Sequence, residues 1–227
     1  MSARIEHPGE VYRAESSDAY SPLIIADPDS VAELLLDQFD GTPIVGELPD
    51  VLLTPCRDYG ILPLPDCDLP YGLGAIVVSQ KAVDCLGDIL RLAGELYPAR
   101  TSTGSYYFLN VTTVIDCLDY DKSVLEFWPA LPQFMKDGLS GRHKVHHVSR
   151  YEFLPDRIGG APLFKLPEFP SSPPYVTCKF VHEFAEAGLT GLEFRKVWPE
   201  PDDAAARQMF LAKHRRKRQR KRRDGSP

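Results

Sequence analysis

Apolar residues repeat at helical spacing in three stretches of the chain. Residues 31–39 follow the N-cap candidates Asp29 and Ser30, and residues 80–93 follow Ser79. A third stretch runs from about Cys178 to Ala187, and glycine and proline after the stretches suit helix ends. The pattern therefore predicts three helices. In the first two, the apolar face consists of Val31, Leu34, Leu35, Phe39, Val83, Leu86, Ile89, Leu90 and Ala93.

Short runs of β-branched and aromatic residues predict strands between and after these helices. The runs are residues 75–78, 95–99, 105–113, 145–153, 164–166, 175–176 and 191–198. Residues 1–17 are interpreted as a polar lead, residues 43–75 as turns with short extended pieces, and residues 119–143 as a loop or short helical turns. Together these elements predict an α+β fold with a mostly antiparallel sheet and a few packing helices.

Charge is distributed unevenly along the chain. Nine basic residues lie between positions 213 and 223, whereas residues 1–212 hold 17 basic and 31 acidic residues, a net charge of −14. An acidic body repels nucleic acids and membrane surfaces and attracts basic proteins. We expect a single α+β domain over residues 1–198, and a charged, flexible tail over residues 199–227 whose basic part is disordered.

The sequence predicts a cytoplasmic protein with no membrane partner. Residues 1–17 contain no apolar core of a secretory signal, and no stretch approaches the ~18–20 apolar residues of a membrane span. The cysteines are odd in number and form no C-x-x-C pair, which is typical of reduced thiols. They are Cys56, Cys67, Cys85, Cys117 and Cys178.

No pattern predicts an enzyme, and we expect no catalytic residue, cofactor or bound metal. Residues 71–74 carry two glycines before a strand but lack the lysine of a phosphate-binding loop. In a strand, His146 and His147 would point to opposite faces, and His143 would lie about 13 Å from His147. No G-x-S-x-G elbow marks a nucleophile.

Two groups of charged residues are candidate partner contacts. Asp116, Asp119 and Asp121 follow a strand, and Asp66 and Asp68 lie in an acid-rich turn, so both sets can face a basic partner. Acids in loops also serve as caps and turn formers. The second group is the basic tail, which can bind nucleic acid non-specifically but offers no aromatic ring for stacking. It consists of Lys213, Arg215, Arg216, Lys217, Arg218, Arg220, Lys221, Arg222 and Arg223.

Four segments, in this order, resemble one family. They are residues 66–83, which include Ala75-Ile76-Val77-Val78-Ser79; residues 106–123, which include Tyr106-Tyr107-Phe108-Leu109-Asn110-Val111; residues 162–166; and residues 176–198, which include Gly188-Leu189-Thr190-Gly191-Leu192-Glu193-Phe194. Together they resemble the suppressor-domain immunity proteins of bacterial polymorphic toxin systems, the eleventh numbered immunity family. The resemblance covers about residues 60–198 and omits residues 1–45 and the tail.

The resemblance implies that the protein neutralises a cognate toxin made by the same cell or its kin, and it implies no catalytic residues. With the acidic body, it leads to the hypothesis of an immunity protein that occludes the active site of a nucleic-acid-targeting toxin. The alternative is a nucleic-acid-associated protein that acts through the basic tail. For Asn110 and Asp116 we expect a structural role, in which their side chains hold the following turn.

Overall fold

The computed structural model describes residues 9–26, 38–46, 48, 51–56, 58, 61–70, 73–128 and 145–200. These ranges contain twelve strands and three helices. The strands are β1 (Val11–Ser16), β2 (Leu23–Ile25), β3 (Leu52–Pro55), β4 (Cys67–Asp68), β5 (Ile76–Ser79), β6 (Gly94–Thr101), β7 (Tyr106–Val111), β8 (Val124–Phe127), β9 (Val145–Arg150), β10 (Leu163–Phe164), β11 (Tyr175–Thr177) and β12 (Leu192–Trp198). The helices are α1 (Gln80–Ala93), α2 (Pro155–Ile158) and α3 (Cys178–Glu186).

The described strands form three sheets. A four-stranded sheet has the order β10-β11-β1-β12, a six-stranded sheet has the order β2-β3-β6-β7-β5-β4, and β8 and β9 form a separate two-stranded hairpin. Within the described residues, β3 and β6 are the one parallel pair of strands. The predicted α+β fold with mostly antiparallel sheets is therefore confirmed.

The four-stranded sheet is buried on both faces. On one face Ala14 and Val176 pack in a core that also contains residues of α1, α3 and the six-stranded sheet. On the other face Phe164 and Tyr175 pack in a second core with Val145 and other residues of the β8–β9 hairpin. The hairpin and the two longer helices consequently lie on opposite sides of this sheet.

Strand β7, within the strand predicted over residues 105–113, lies inside the six-stranded sheet and alternates between two cores. Leu109 and Val111 belong to the core shared with the helices. Tyr106 and Phe108 belong to a third core on the opposite face. Because both faces are covered, the strand is an almost continuous apolar run, a pattern typical of strands buried on both sides.

Helix α1 begins and ends where the sequence predicts. The Ser79 side chain accepts a hydrogen bond from the Ala82 backbone N–H at 3.2 Å, which satisfies one of the free donors of the first turn. The helix ends at Gly94 because β6 then runs close to β7. A Cβ on Gly94 would lie 1.8 Å from the carbonyl oxygen of Asn110, so no larger residue fits there.

The interpretation of residues 1–17 as a polar lead is wrong for its second half. Residues 11–16 form β1, which lies between β11 and β12. The register of β1 with β12 shifts between Val11 and Tyr12, so its buried residues, Val11 and Ala14, do not alternate. Pairing on both edges stabilises this strand, and the local sequence does not show that pairing.

Four other predictions need correction or lie beyond the described residues. Residues 124–127, interpreted as loop or helical turns, form β8, which exposes apolar side chains and so lacks an alternating pattern. The strand predicted at 145–153 ends at Arg150. The helix predicted over residues 31–39 lies outside the described residues except for its last two. The tail predicted for residues 199–227 lies outside them from residue 201 onward.

Lys165 joins the two large sheets. Its backbone N–H donates to Thr113 and its carbonyl accepts from Ile115, which links the end of β10 to the chain that follows β7. Its side chain is 1% exposed, and its ammonium donates to the carbonyl oxygens of Phe39 and, at 2.8 Å, Pro170. Burial lowers the pKa of Lys165 to about 8, against the smaller opposing effect of Asp40.

All five cysteines are free. None of the helices in the described part of the chain has the length and hydropathy that a membrane span requires.

Replacing Lys165 tests this junction. Lys165→Met leaves two buried carbonyl oxygens without their donor, and each unpaired group costs roughly 1–3 kcal/mol. The pKa of Lys165 is about 8 in the folded protein and 10.5 ordinarily. Between these two pH values, the unfolded chain therefore binds more protons than the folded protein does. The stability that Lys165 contributes therefore rises with pH, by on the order of 3 kcal/mol between these two values.

Urea unfolding of both proteins at several pH values from 7 to 10.5 measures this effect. The free energies of unfolding of the two proteins are expected to diverge above pH 8. Parallel pH profiles would contradict the assignment of a buried ammonium at this position.

Candidate partner-binding surface

The predicted acidic residues occupy two separate places, and Asp68 is not at the surface. Asp68 is 2% exposed, and its carboxylate accepts hydrogen bonds from Ser16 Oγ at 2.6 Å and from the Leu23 backbone N–H at 2.6 Å. It therefore ties β4 to the ends of β1 and β2. Its interpretation as a partner contact is wrong, because the carboxylate is enclosed by the fold.

Asp66 is also committed to internal contacts. Its carboxylate accepts from the backbone N–H and hydroxyl of Thr190, at 3.0 and 2.9 Å, and pairs with Lys81 at 3.0 Å. Its side chain is 16% exposed. Asp66 thus holds the turn before β12 against the first turn of α1, and little of its charge remains for a partner.

Asp116, Asp119 and Asp121 lie in a turn between β7 and β8, which we call the acidic turn (residues 116–123). Asp119 forms the turn itself: its carboxylate accepts from the backbone N–H groups of Asp121 and Lys122 and pairs with the Lys122 ammonium at 3.0 Å. Lys122 holds the pKa of Asp119 below its ordinary value, through a hydrogen bond and its charge.

The other two acids of the turn are more accessible. Asp116 faces Arg157 at 3.4 Å, and its side chain is 40% exposed. Asp121 is exposed. The acidic turn therefore places Asp116 and Asp121 where a partner can contact them, while Asp119 shapes the backbone between them.

The acidic turn leads directly into the β8–β9 hairpin. Residues 117–119 of the turn pair with residues 152–154, which follow β9, through backbone hydrogen bonds. The Asp119 N–H donates to the carbonyl of Glu152 and the Leu154 N–H donates to the carbonyl of Cys117, at 2.8 Å each. Trp198 Nε1 donates to the Glu152 carboxylate at 2.9 Å. The base of the hairpin is thus fixed to the four-stranded sheet.

Beyond this base, the hairpin exposes apolar side chains that the sequence did not single out. Val124, Phe127 and Trp128 are 45%, 54% and 47% exposed. The Trp128 ring lies against the His146 ring with centroids 3.9 Å apart. Phe127 and Trp128 lie among residues that the sequence pattern predicts to be a loop. Their large apolar side chains within a polar stretch were the sequence signal of an exposed apolar surface.

The register of the hairpin explains the position of His146. Glu126 pairs with His147 and Phe127 with Val145, so the ladder skips His146. This irregularity breaks strict alternation, and both histidines are exposed. In the described residues, no group of three or more potential ligands is placed to bind a metal ion.

The buried thiols show no sign of activation as nucleophiles. Burial raises the pKa of Cys117 to about 12 and also raises that of Cys67. Both thiols therefore stay protonated near neutral pH, whereas a nucleophilic cysteine requires the thiolate.

Several residues in the segments that carry the family resemblance are buried. Asn110 is fully buried and its side-chain N–H donates to the carbonyl of Thr42 at 2.8 Å, 68 positions away. The expectation that Asn110 holds the turn after its own strand is therefore wrong. At Gly191, φ is +101° and a Cβ would lie 2.1 Å from the carbonyl oxygen of Cys67. These residues serve the fold.

The basic residues of the tail, from Lys213 to Arg223, lie outside the described residues. Their contact with nucleic acid stays a prediction.

Comparison with known proteins supports the resemblance. Residues 96–198 match the model of the Immunity protein family (Imm11). The matched segment runs from β6 to the end of β12, and it includes the acidic turn, the hairpin and Lys165. None of the curated proteins compared with the chain matches it. The match confirms the likeness to an immunity protein family that the sequence motifs indicated.

Replacing Asp68 distinguishes an internal carboxylate from a surface one. Asp68→Ala leaves Ser16 Oγ and the Leu23 N–H without their acceptor and is expected to lower the free energy of unfolding by roughly 2–4 kcal/mol. The control Asp121→Ala, at an exposed acid, is expected to stay within about 0.5 kcal/mol of the unaltered protein. Equal stability of the two variants in urea would contradict the internal role of Asp68.

Proposed function

We propose that this protein is an immunity protein that binds a cognate toxin domain and occludes its active site. The observation that carries the proposal is the match of residues 96–198 to the Immunity protein family (Imm11). Proteins of this kind are generally non-enzymatic inhibitors. Inhibition by binding needs an accessible surface and no catalytic group, and the acidic turn and hairpin provide such a surface.

The charge of the chain supports a basic toxin as the partner. Residues 1–212 carry a net charge of −14. The acidic turn and the hairpin with its base comprise the described residues 116–128 and 145–153. These residues include five acidic and two basic ones, a net charge of −3. A toxin that acts on nucleic acid presents a basic groove, so this surface attracts it and competes with its anionic substrate. The encounter is proposed to take place in the cytoplasm.

The basic tail supports a second function, non-specific binding of nucleic acid. Nine basic residues within eleven positions are a strong electrostatic signal for phosphate contacts. Truncation after Ala212 separates the two functions. Under the proposed function, the truncated protein still binds the toxin and loses only nucleic-acid retention.

Co-purification with the toxin domain encoded beside this gene tests the proposal. A stoichiometric complex is expected at low and moderate salt. Absence of a complex, with nucleic acid retained and then lost on removal of the tail, would contradict the proposed function and favour the second one.

The electrostatic part has its own test, the triple variant Asp116→Asn, Asp119→Asn and Asp121→Asn. Because these acids steer a basic partner, their neutralisation is expected to reduce the association rate by about tenfold or more at low salt, and much less at high salt. The matched control, Asp84→Asn with Asp88→Asn and Glu186→Gln, makes the same change in charge on α1 and α3. Equal association rates for both triple variants would contradict a local electrostatic role.

A further inference from the structure

The β8–β9 hairpin has one covered face and one open face. Val145 and Val148 are buried in the core beneath the four-stranded sheet, and Leu125 packs against it. On the open side, Val124, Phe127 and Trp128 expose about half of their surface. Single exposed apolar residues, such as Leu92 on α1, are ordinary on protein surfaces, whereas Phe127 and Trp128 are adjacent aromatic residues that are both exposed.

The exposed aromatic rings are held in place by the fold. The Trp128 ring is tilted 42° against the His146 ring, whose backbone belongs to β9. At the base of the hairpin, Phe153 contacts the rings of Tyr151, Tyr175 and Trp198 with centroids 5.7 to 6.0 Å apart. A packed base and the contact of the Trp128 ring with His146 reduce the conformational entropy lost on binding, which is the main benefit of a preorganised surface.

The charges around these rings indicate the kind of partner. Asp121 lies three residues before Val124, and Glu126 lies beside Phe127, where its carboxylate accepts from Ser149 Oγ at 2.6 Å. The rim also contains Lys122 and Arg150 but is acidic on balance, so the surface is complementary to an apolar patch with a mainly basic rim. Aromatic residues at the centre of an interface, surrounded by polar ones, also have the composition of binding hot spots.

We propose that Phe127 and Trp128, with the His146 ring that supports Trp128, form the apolar anchor by which the hairpin docks on a basic toxin domain. This proposal rests on the proposed function and adds the residues that hold the complex together. The acids of the turn accelerate the encounter, and the aromatic anchor slows dissociation. The two roles predict different kinetic effects, since rim charges act mainly on association and buried contacts on dissociation.

The test uses the full-length double variant Phe127→Ser with Trp128→Ser and the toxin domain encoded beside the gene. The double variant is expected to raise the dissociation constant by about 100-fold or more, through faster dissociation. Trp128→Phe keeps an aromatic ring and is expected to retain most of the affinity. The matched control Leu92→Ser removes an apolar side chain that is 70% exposed on the opposite side of the four-stranded sheet, and is expected to bind like the unaltered protein.

The possible outcomes separate this proposal from the proposed function. If the unaltered protein binds no toxin, both are overturned. If the unaltered protein and the double variant bind equally well, the anchor is overturned while the proposed function stands. Because about half of each replaced aromatic ring is exposed, all variants are expected to stay folded, which cooperative unfolding in urea checks. An equal loss of affinity in Leu92→Ser would also overturn the anchor.

Discussion

The junction at Lys165 is the contact on which the rest of the structure depends. The backbone of this residue connects β10 to the chain after β7, and its buried ammonium binds two carbonyl oxygens from distant segments. Burying an ammonium costs free energy unless its hydrogen bonds are satisfied. The carbonyls of Phe39 and Pro170 offset part of this cost, and the lowered pKa of Lys165 reflects the part that remains. The chain segments that supply the two carbonyls are held together by one side chain.

The position of the proposed binding surface follows from this junction. Ile115 donates its N–H to Lys165, and the acidic turn begins at the next residue. After the other strand of the hairpin, Phe153 packs against Phe164, the residue of β10 that precedes Lys165. The hairpin therefore leaves the body from a fixed base. Residues that carry the family resemblance, such as Asn110 and Gly191, belong to this internal framework. A framework of this kind can carry different contact residues at the hairpin, and immunity proteins need such variation to recognise their own toxins.

The local sequence was sufficient to predict the helices and strands whose formation depends on residues close together in the chain. The cap at Ser79, the apolar stripe of α1 and the strand β7 each result from residues close in sequence, and the structure confirms them. Strand β1 could not be predicted in this way, because pairing with β11 and β12, more than 150 positions away, determines its place. For the acids, sequence identified charge but not exposure. Asp68 and Asp121 look alike in the sequence, yet one is enclosed by β1 and β2 and the other is exposed. The aromatic residues of the hairpin were missed for the converse reason, since large apolar residues are ordinarily expected in the core.

The central claim is that the toxin binds at the acidic turn and the hairpin, on the side of the four-stranded sheet away from the helices. Hydrogen–deuterium exchange of the protein alone and in its complex with the toxin domain tests this most directly, because it reports protection along the whole chain. The account predicts new protection in residues 116–128 and 145–150, with α1 and α3 unchanged. Protection confined to α1 and α3, with the hairpin exchanging as in the free protein, would contradict it.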